Sequence, residues 1–286
     1  MAEPSPQPTR QPAHPILTDE QITIYRRPPI VERVITAYAP MDKEEYAAKA
    51  DTWKSQAIQA FPFFNPTVEW DINIEEKDGV PVVAESGPTM RIHHWFFEHL
   101  KKERRGFVHQ SDRDKEGRAK FGINLLRHGD KVYRFKDIEA KFREWLPRWA
   151  DHFGIKSFSG VSLDYVNALN EQTVPEFCRG GRLHIGEVFR LFSNIPGPHV
   201  TLIPPYDCRV NMLIDEKMPI TGQIVVRSAE TEGLRINMQM RSLSSQEKSI
   251  TADEVLAEVL ALHRCMVTYF EASFTDAARK SFDPIK

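Results

Sequence analysis

The sequence predicts an α+β protein, a largely antiparallel sheet with two or three long amphipathic helices packed on it. Two periodicities point there. Several runs alternate apolar and polar residues, as a strand with one buried face does. Longer runs repeat apolar residues at steps of three and four, as a helix on a core does. Adjacent strand-like runs such as "GQIVVRSAE" and "GLRINMQMRS" also suit a hairpin. At 286 residues, 41% hydrophobic and 27% charged, the chain has ordinary globular composition. It is long enough for one large core or two small ones.

Met1 to Asp19 is rich in proline, glutamine and small residues, which bury too little apolar surface to order a chain, so a disordered tail is expected. Pro28 and Pro29 force an extended entry into the strand "IVERVITAY". Asp42 then caps a helix, with Glu45 completing a capping box. Tyr46, Ala50, Trp53, Ala57 and Phe61 form its core face.

"TVEWDINIEEK" is the clearest strand. Val68, Trp70, Ile72 and Ile74 should face a core, and Glu69, Asp71, Asn73 and Glu75 should face water. "KDGVP" supplies an Asp-Gly turn, and "MRIHHWFFEHL" fits either strand or helix. "GFVHQ" and "KFGINLLR" read as a hairpin with a long polar loop. A second helix, "DIEAKFREWLPRWADHF", buries Ile138, Phe142, Trp145, Trp149 and Phe153, with a kink expected at Pro147. The strand "VSLDYVNALN" follows. After the hairpin in the second half, Thr251 and Glu254 open a last long helix with core face Val255, Val259, Leu262, Met266 and Phe270.

"FGINLLR" and "LRINMQMR" each precede a long amphipathic helix, which suggests two similar halves, 20–170 and 171–286, within one domain or two.

Chemistry is harder to find. A net charge of -2 leaves nucleic-acid or membrane binding to a local patch. The three cysteines, Cys178, Cys208 and Cys265, lack CxxC spacing and suit a reducing compartment. There is no membrane-length apolar run, and a cytoplasmic location is expected. His93, His94, His99 and His109 are close in sequence but lack zinc-site spacing, so packed histidines and no metal are expected. No cofactor motif occurs, and none is expected. Glu75 and Lys77 have the ExK spacing of a nuclease metal strand, which makes Glu69, Asp71, Glu75 and Lys77 the catalytic candidates. The same residues also fit the wet face of a strand. Lys101, Lys102, Arg104, Arg105, Arg113 and Lys120 form a basic stretch that suits a phosphate backbone or a solvated loop.

In "VSLDYVNALN" at least one polar side chain must face a core, where a buried amide or carboxyl without partners costs roughly 1 to 3 kcal/mol. Asp164, Tyr165 and Asn167, with Asn124, are therefore read as a structural hydrogen-bond network. "PPIVE", "FVHQ", "FGINLLR", "YVN" and "YFEASFT" occur in an order that resembles a sporadically distributed bacterial family of unknown function. Leu125 and Phe282 stand where that family usually has tryptophan. The resemblance implies a cytoplasmic bacterial protein of a kind found on mobile elements or defence islands, and it implies no catalytic residues. The leading expectation is a non-catalytic interaction or regulatory subunit with a protein partner, in a system such as anti-phage defence. The alternatives are a metal-dependent nuclease or other hydrolase, and a nucleic-acid-binding protein using the 101–120 loop.

Overall fold

The computed structural model describes residues 16–71, 74–77, 80–83, 89–127, 134–180, 182–193, 207–215, 220–229, 233–243 and 250–285. In chain order the elements are β1 (Ile24–Tyr25), β2 (Ile30–Ala39), α1 (Lys43–Ala57), β3 (Phe63–Asp71), β4 (Ile74–Lys77), β5 (Val80–Val83), β6 (Thr89–Phe97), β7 (Gly106–Arg113), β8 (Ala119–Leu126) and α2 (Phe135–Phe153). Then come β9 (Gly160–Asn170), β10 (Cys178–Arg179), β11 (Arg182–Leu183), α3 (Ile185–Val188), α4 (Arg190–Ser193), β12 (Asp207–Asp215), β13 (Ile220–Ala229), β14 (Gly233–Leu243), α5 (Ala252–Ser273), α6 (Asp276–Ser281) and β15 (Pro284–Ile285).

Nine strands form one antiparallel sheet in the order β12-β13-β14-β9-β2-β8-β7-β6-β3. Its connectivity repeats. In each half an opening strand, β2 or β9, pairs with the last strand of a meander, β8 of the four strands β3-β6-β7-β8 or β14 of the three strands β12-β13-β14, and a long helix follows. The two opening strands pair with each other at the centre, Ile35 opposite Leu163. "FGINLLR" and "LRINMQMR" are thus the matching strands β8 and β14. The halves divide within 154–159, not at Asn170, because β9 plays in the second half the part of β2 in the first.

One face of the sheet carries α1, α2 and α5. Phe121 on β8 lies 5.4 Å from Phe142 and 5.5 Å from Trp149, ring centre to ring centre, and Trp53 meets His109 of β7. Ile138, Phe142, Trp145, Trp149 and Phe153 are all buried on α2, which runs unbroken past Pro147. Asp42 accepts from the Glu44 and Glu45 amides, but the Glu45 carboxylate turns to Lys49, 2.7 Å away, instead of closing a capping box.

Two expectations are corrected. Val68 is 53% exposed, and Ile92 opposite it is 45% exposed. Only His94 to Phe97 of β6 pair with β7, so the outer parts of β3 and β6 run on beyond the sheet as a two-stranded arm. Among the described residues nothing covers Val68, Met90 and Ile92 on their apolar side. Ile72 lies outside the described residues. The second correction concerns the tail, of which residues 1–15 lie outside the described residues. Leu17 and Asp19 are held on α5, through the Thr268 hydroxyl at 2.9 Å and the Arg264 guanidinium at 2.8 Å. The chain ends are tied further by β1 pairing with β15.

Candidate functional site

Successive strand residues point to opposite faces, and this divides the polar stretch of β9. Tyr165 and Asn167 face the helices. The Tyr165 hydroxyl and His263 Nδ1 on α5 share a hydrogen bond of 3.0 Å. Burial pushes the His263 pKa down to about 4, so its ring is neutral, stacked 3.7 Å from Phe135. The Asn167 amide donates to the Ile236 carbonyl at 3.2 Å, and its own oxygen has no hydrogen-bond partner among the described residues.

Asp164 points the other way. Among the described residues, no helix packs on that face. Yet Thr36, Tyr38, Gln110, Asp112, Asn124 and Ser162 are buried there together with Asp164. Long side chains shield them, as where the Arg118 guanidinium lies 4.6 Å over the Tyr38 ring. Gly122 supplies a low floor in the middle, since a Cβ there would come within 3.3 Å of the Gln110 side chain.

The Asp164 carboxyl accepts from Gln239 Nε2 at 2.6 Å. Burial raises its pKa to about 7, against the opposing pull of Gln239, Arg241 and Lys120. Beside it across the central seam, Glu32 accepts from the Asn124 amide at 2.7 Å. Asn124 and Asp164 therefore share this face, while Tyr165 and Asn167 belong to the core. The four do not make one network.

Toward β3 a second cluster forms. His93 donates from Nδ1 to Asp112 at 2.6 Å and from Nε2 to Glu69 at 2.9 Å. These carboxylates, Asp112 first, raise its pKa and favour its protonated form. Gln110 donates to Asp112 at 2.7 Å. His109, by contrast, lies in the core. It accepts from Trp53 Nε1 at 2.9 Å, donates to the Gly122 carbonyl at 3.1 Å, and is kept neutral by burial, its pKa near 3.

The basic candidates do not form one patch. Lys101 and Lys102 sit in a 3-10 turn before β7, followed by Arg104 and Arg105, whereas Arg113 and Lys120 lie at its far end. The ends of this eight-residue strand are roughly 24 Å apart. Arg113 is spent on the carbonyls of Met41 and Gly117, and Lys120 stands 3.7 Å from Asp112. The nuclease candidates are also divided. Glu69 is on the β3–β6 arm against His93, while the exposed Lys77 is on the separate β4–β5 ribbon. The strands hold Asp71 and Glu75, but their side chains lie outside the described residues. Among the described residues no three His, Cys, Asp or Glu side chains converge as metal ligands. Burial and two nearby glutamates raise the Cys178 thiol pKa, the opposite of a reactive cysteine.

Sequence reasoning missed the end of this face on β12, β13 and β14. There a cleft of about 390 Å³ opens beside Asn211, Gln223, Gln239 and Arg241. Its signal was the polar half of the alternation in "CRVNMLID" and "LRINMQMR", whose apolar half supplied the core.

No protein-family model matches the chain, and no curated protein matches it. Among solved structures it is similar to the crystal structure of the di-domain ARO/CYC StfQ from the steffimycin biosynthetic pathway. The two are 11% identical over 83% of this chain and 95% of that one, with a TM-score of 0.18, too low to support any argument. Among the described residues no helix is long and apolar enough to cross a membrane.

Proposed function

We propose that the protein is a non-catalytic interaction or regulatory subunit of a bacterial multi-component system, and that its working surface is the helix-free face of the sheet. One observation carries this reading. The face holds buried polar side chains, Thr36, Gln110, Asp112, Ser162 and Asp164 among them, where no helix demands them. These groups hold one another in place, and beyond them the face leaves Arg209, Asn211 and Arg235 exposed with no helix among the described residues over them, which suits recognition of a partner. Its buried titratable groups are engaged by protein partners, Asp164 by Gln239 and Asp112 by His93, which favours binding over turnover. The family resemblance and a cytoplasmic setting, with anti-phage defence as one such system, belong to the same proposal.

The test is co-purification of the tagged full-length chain with the products of its neighbouring genes. A variant of the face, Arg209→Glu with Gln223→Ala, is expected to lose the partner, whereas Lys101→Ala with Lys102→Ala keeps it. Equal capture by both variants would remove the face from consideration.

A further inference from the structure

The outer end of the helix-free face has a regular chemical pattern. On β13 and β14, Ile224, Val226, Ile236, Met238 and Met240 turn to the helices and are buried. The residues between them stand on the other side in register. Asn211, Gln223 and Gln239 form one row across three strands, running on to Asp164. Rows on either side carry arginine. Arg209 and the exposed Arg235, which stands 3.5 Å from the Glu32 carboxylate, lie toward one end of the strands, and Arg241 lies in the next row toward the other.

Neighbouring strands are about 4.8 Å apart and successive rows about 6.8 Å. The result is a strip of amides flanked by guanidiniums. Gln223 donates to Asn211 at 2.7 Å, so each amide spends one of its hydrogen-bonding atoms on the other and carries a second of the opposite kind. The Arg241 Nε is buried without a hydrogen-bond partner among the described residues, beside the cleft these residues line. The strip needs a ligand with both anionic groups and planar donor–acceptor edges.

We infer that this strip on β12, β13 and β14 binds single-stranded nucleic acid, the arginines taking phosphates and the amide row taking base edges. The inference rests on the reading of the helix-free face as the working surface. Amide side chains match the paired donor and acceptor of a base edge. A duplex groove admits a two-stranded ribbon, but here the strands continue without a break into β9, so no ribbon projects. An acidic peptide is the competing ligand. An extended peptide would find the open edge of β12 before the face, because an edge offers unpaired backbone groups.

Fluorescence anisotropy with short labelled single strands of DNA and RNA tests this on the full-length chain. Binding is expected at low salt, with log affinity falling by roughly 0.7 per phosphate neutralised for each unit of log salt. Arg209→Gln with Arg235→Gln should weaken all strands about tenfold and flatten that slope by roughly 0.7 per arginine removed. Gln223→Ala should change the preference among bases more than the slope. Lys101→Gln with Lys102→Gln should change nothing. Absence of binding at low salt overturns the inference, as does binding untouched by the arginine variant or displaced equally well by a glutamate-rich peptide. If oligonucleotides fail to bind but the face variant still loses its protein partner, this inference alone falls. If that variant keeps its partner, the reading of the face falls too.

Discussion

Tyr165 and Asp164 are neighbours in the chain with opposite duties. The Tyr165 hydroxyl ties β9 to α5 through a neutral His263, a net contribution of about 1 kcal/mol for a typical bond of this kind. Tyr165→Phe should lower the unfolding free energy measured in urea by about 1 kcal/mol, with secondary structure unchanged by circular dichroism. Asp164 can be tested by pH. Its folded pKa, about 7, lies above the ordinary carboxyl value of 3.8, so the folded protein holds a proton that the unfolded chain gives up. The stabilisation is therefore complete below the ordinary value and is lost as pH rises through about 7. Melting temperature should fall between mildly acidic and mildly alkaline buffer, and fall less in Asp164→Asn. His93, whose pKa is also raised, pushes the same way in both proteins, so the difference between them isolates Asp164.

Elements with a helical period were legible from sequence, because the buried stripe of α2 or α5 can be counted directly. The Thr251 hydroxyl accepts from the Glu254 amide at 3.3 Å as the capping box required. Thr251→Ala should cost about 1 kcal/mol in chemical denaturation. Strands were legible as strands, but their surroundings were not. Alternation in "TVEWDINIEEK" shows which side is apolar and cannot show whether anything covers it, so Val68 was assigned to a core that ends before reaching it. On the arm, Val68→Thr with Ile92→Thr should therefore shift stability by no more than about 0.5 kcal/mol. The basic candidates are spread apart for a related reason. Their spacing ignored that a strand separates them. The strip on β12 to β14 was hidden because its residues come together only through sheet register, across three segments of chain.

At the scale of the molecule, two halves of matching connectivity meet along β2 and β9 and share one sheet. The segment from Leu17 to Tyr25 also crosses over to pack on α5, where the Tyr25 hydroxyl meets Glu271 at 2.6 Å. Neither half is complete alone. A chain ending at residue 158 should therefore be insoluble or unfolded, and co-expression with the remainder should restore a complex detectable by size-exclusion chromatography. The central pairing has a consequence in time. Ile35 waits for Leu163, 163 − 35 = 128 residues later in synthesis, which is several seconds or more at a translation rate of roughly 5 to 20 residues per second. Until then the nascent chain presents β2 as a bare strand edge, open to pairing with any other exposed strand. The risk of aggregation for this fold is concentrated in that interval on the ribosome, before β9 arrives to close the seam.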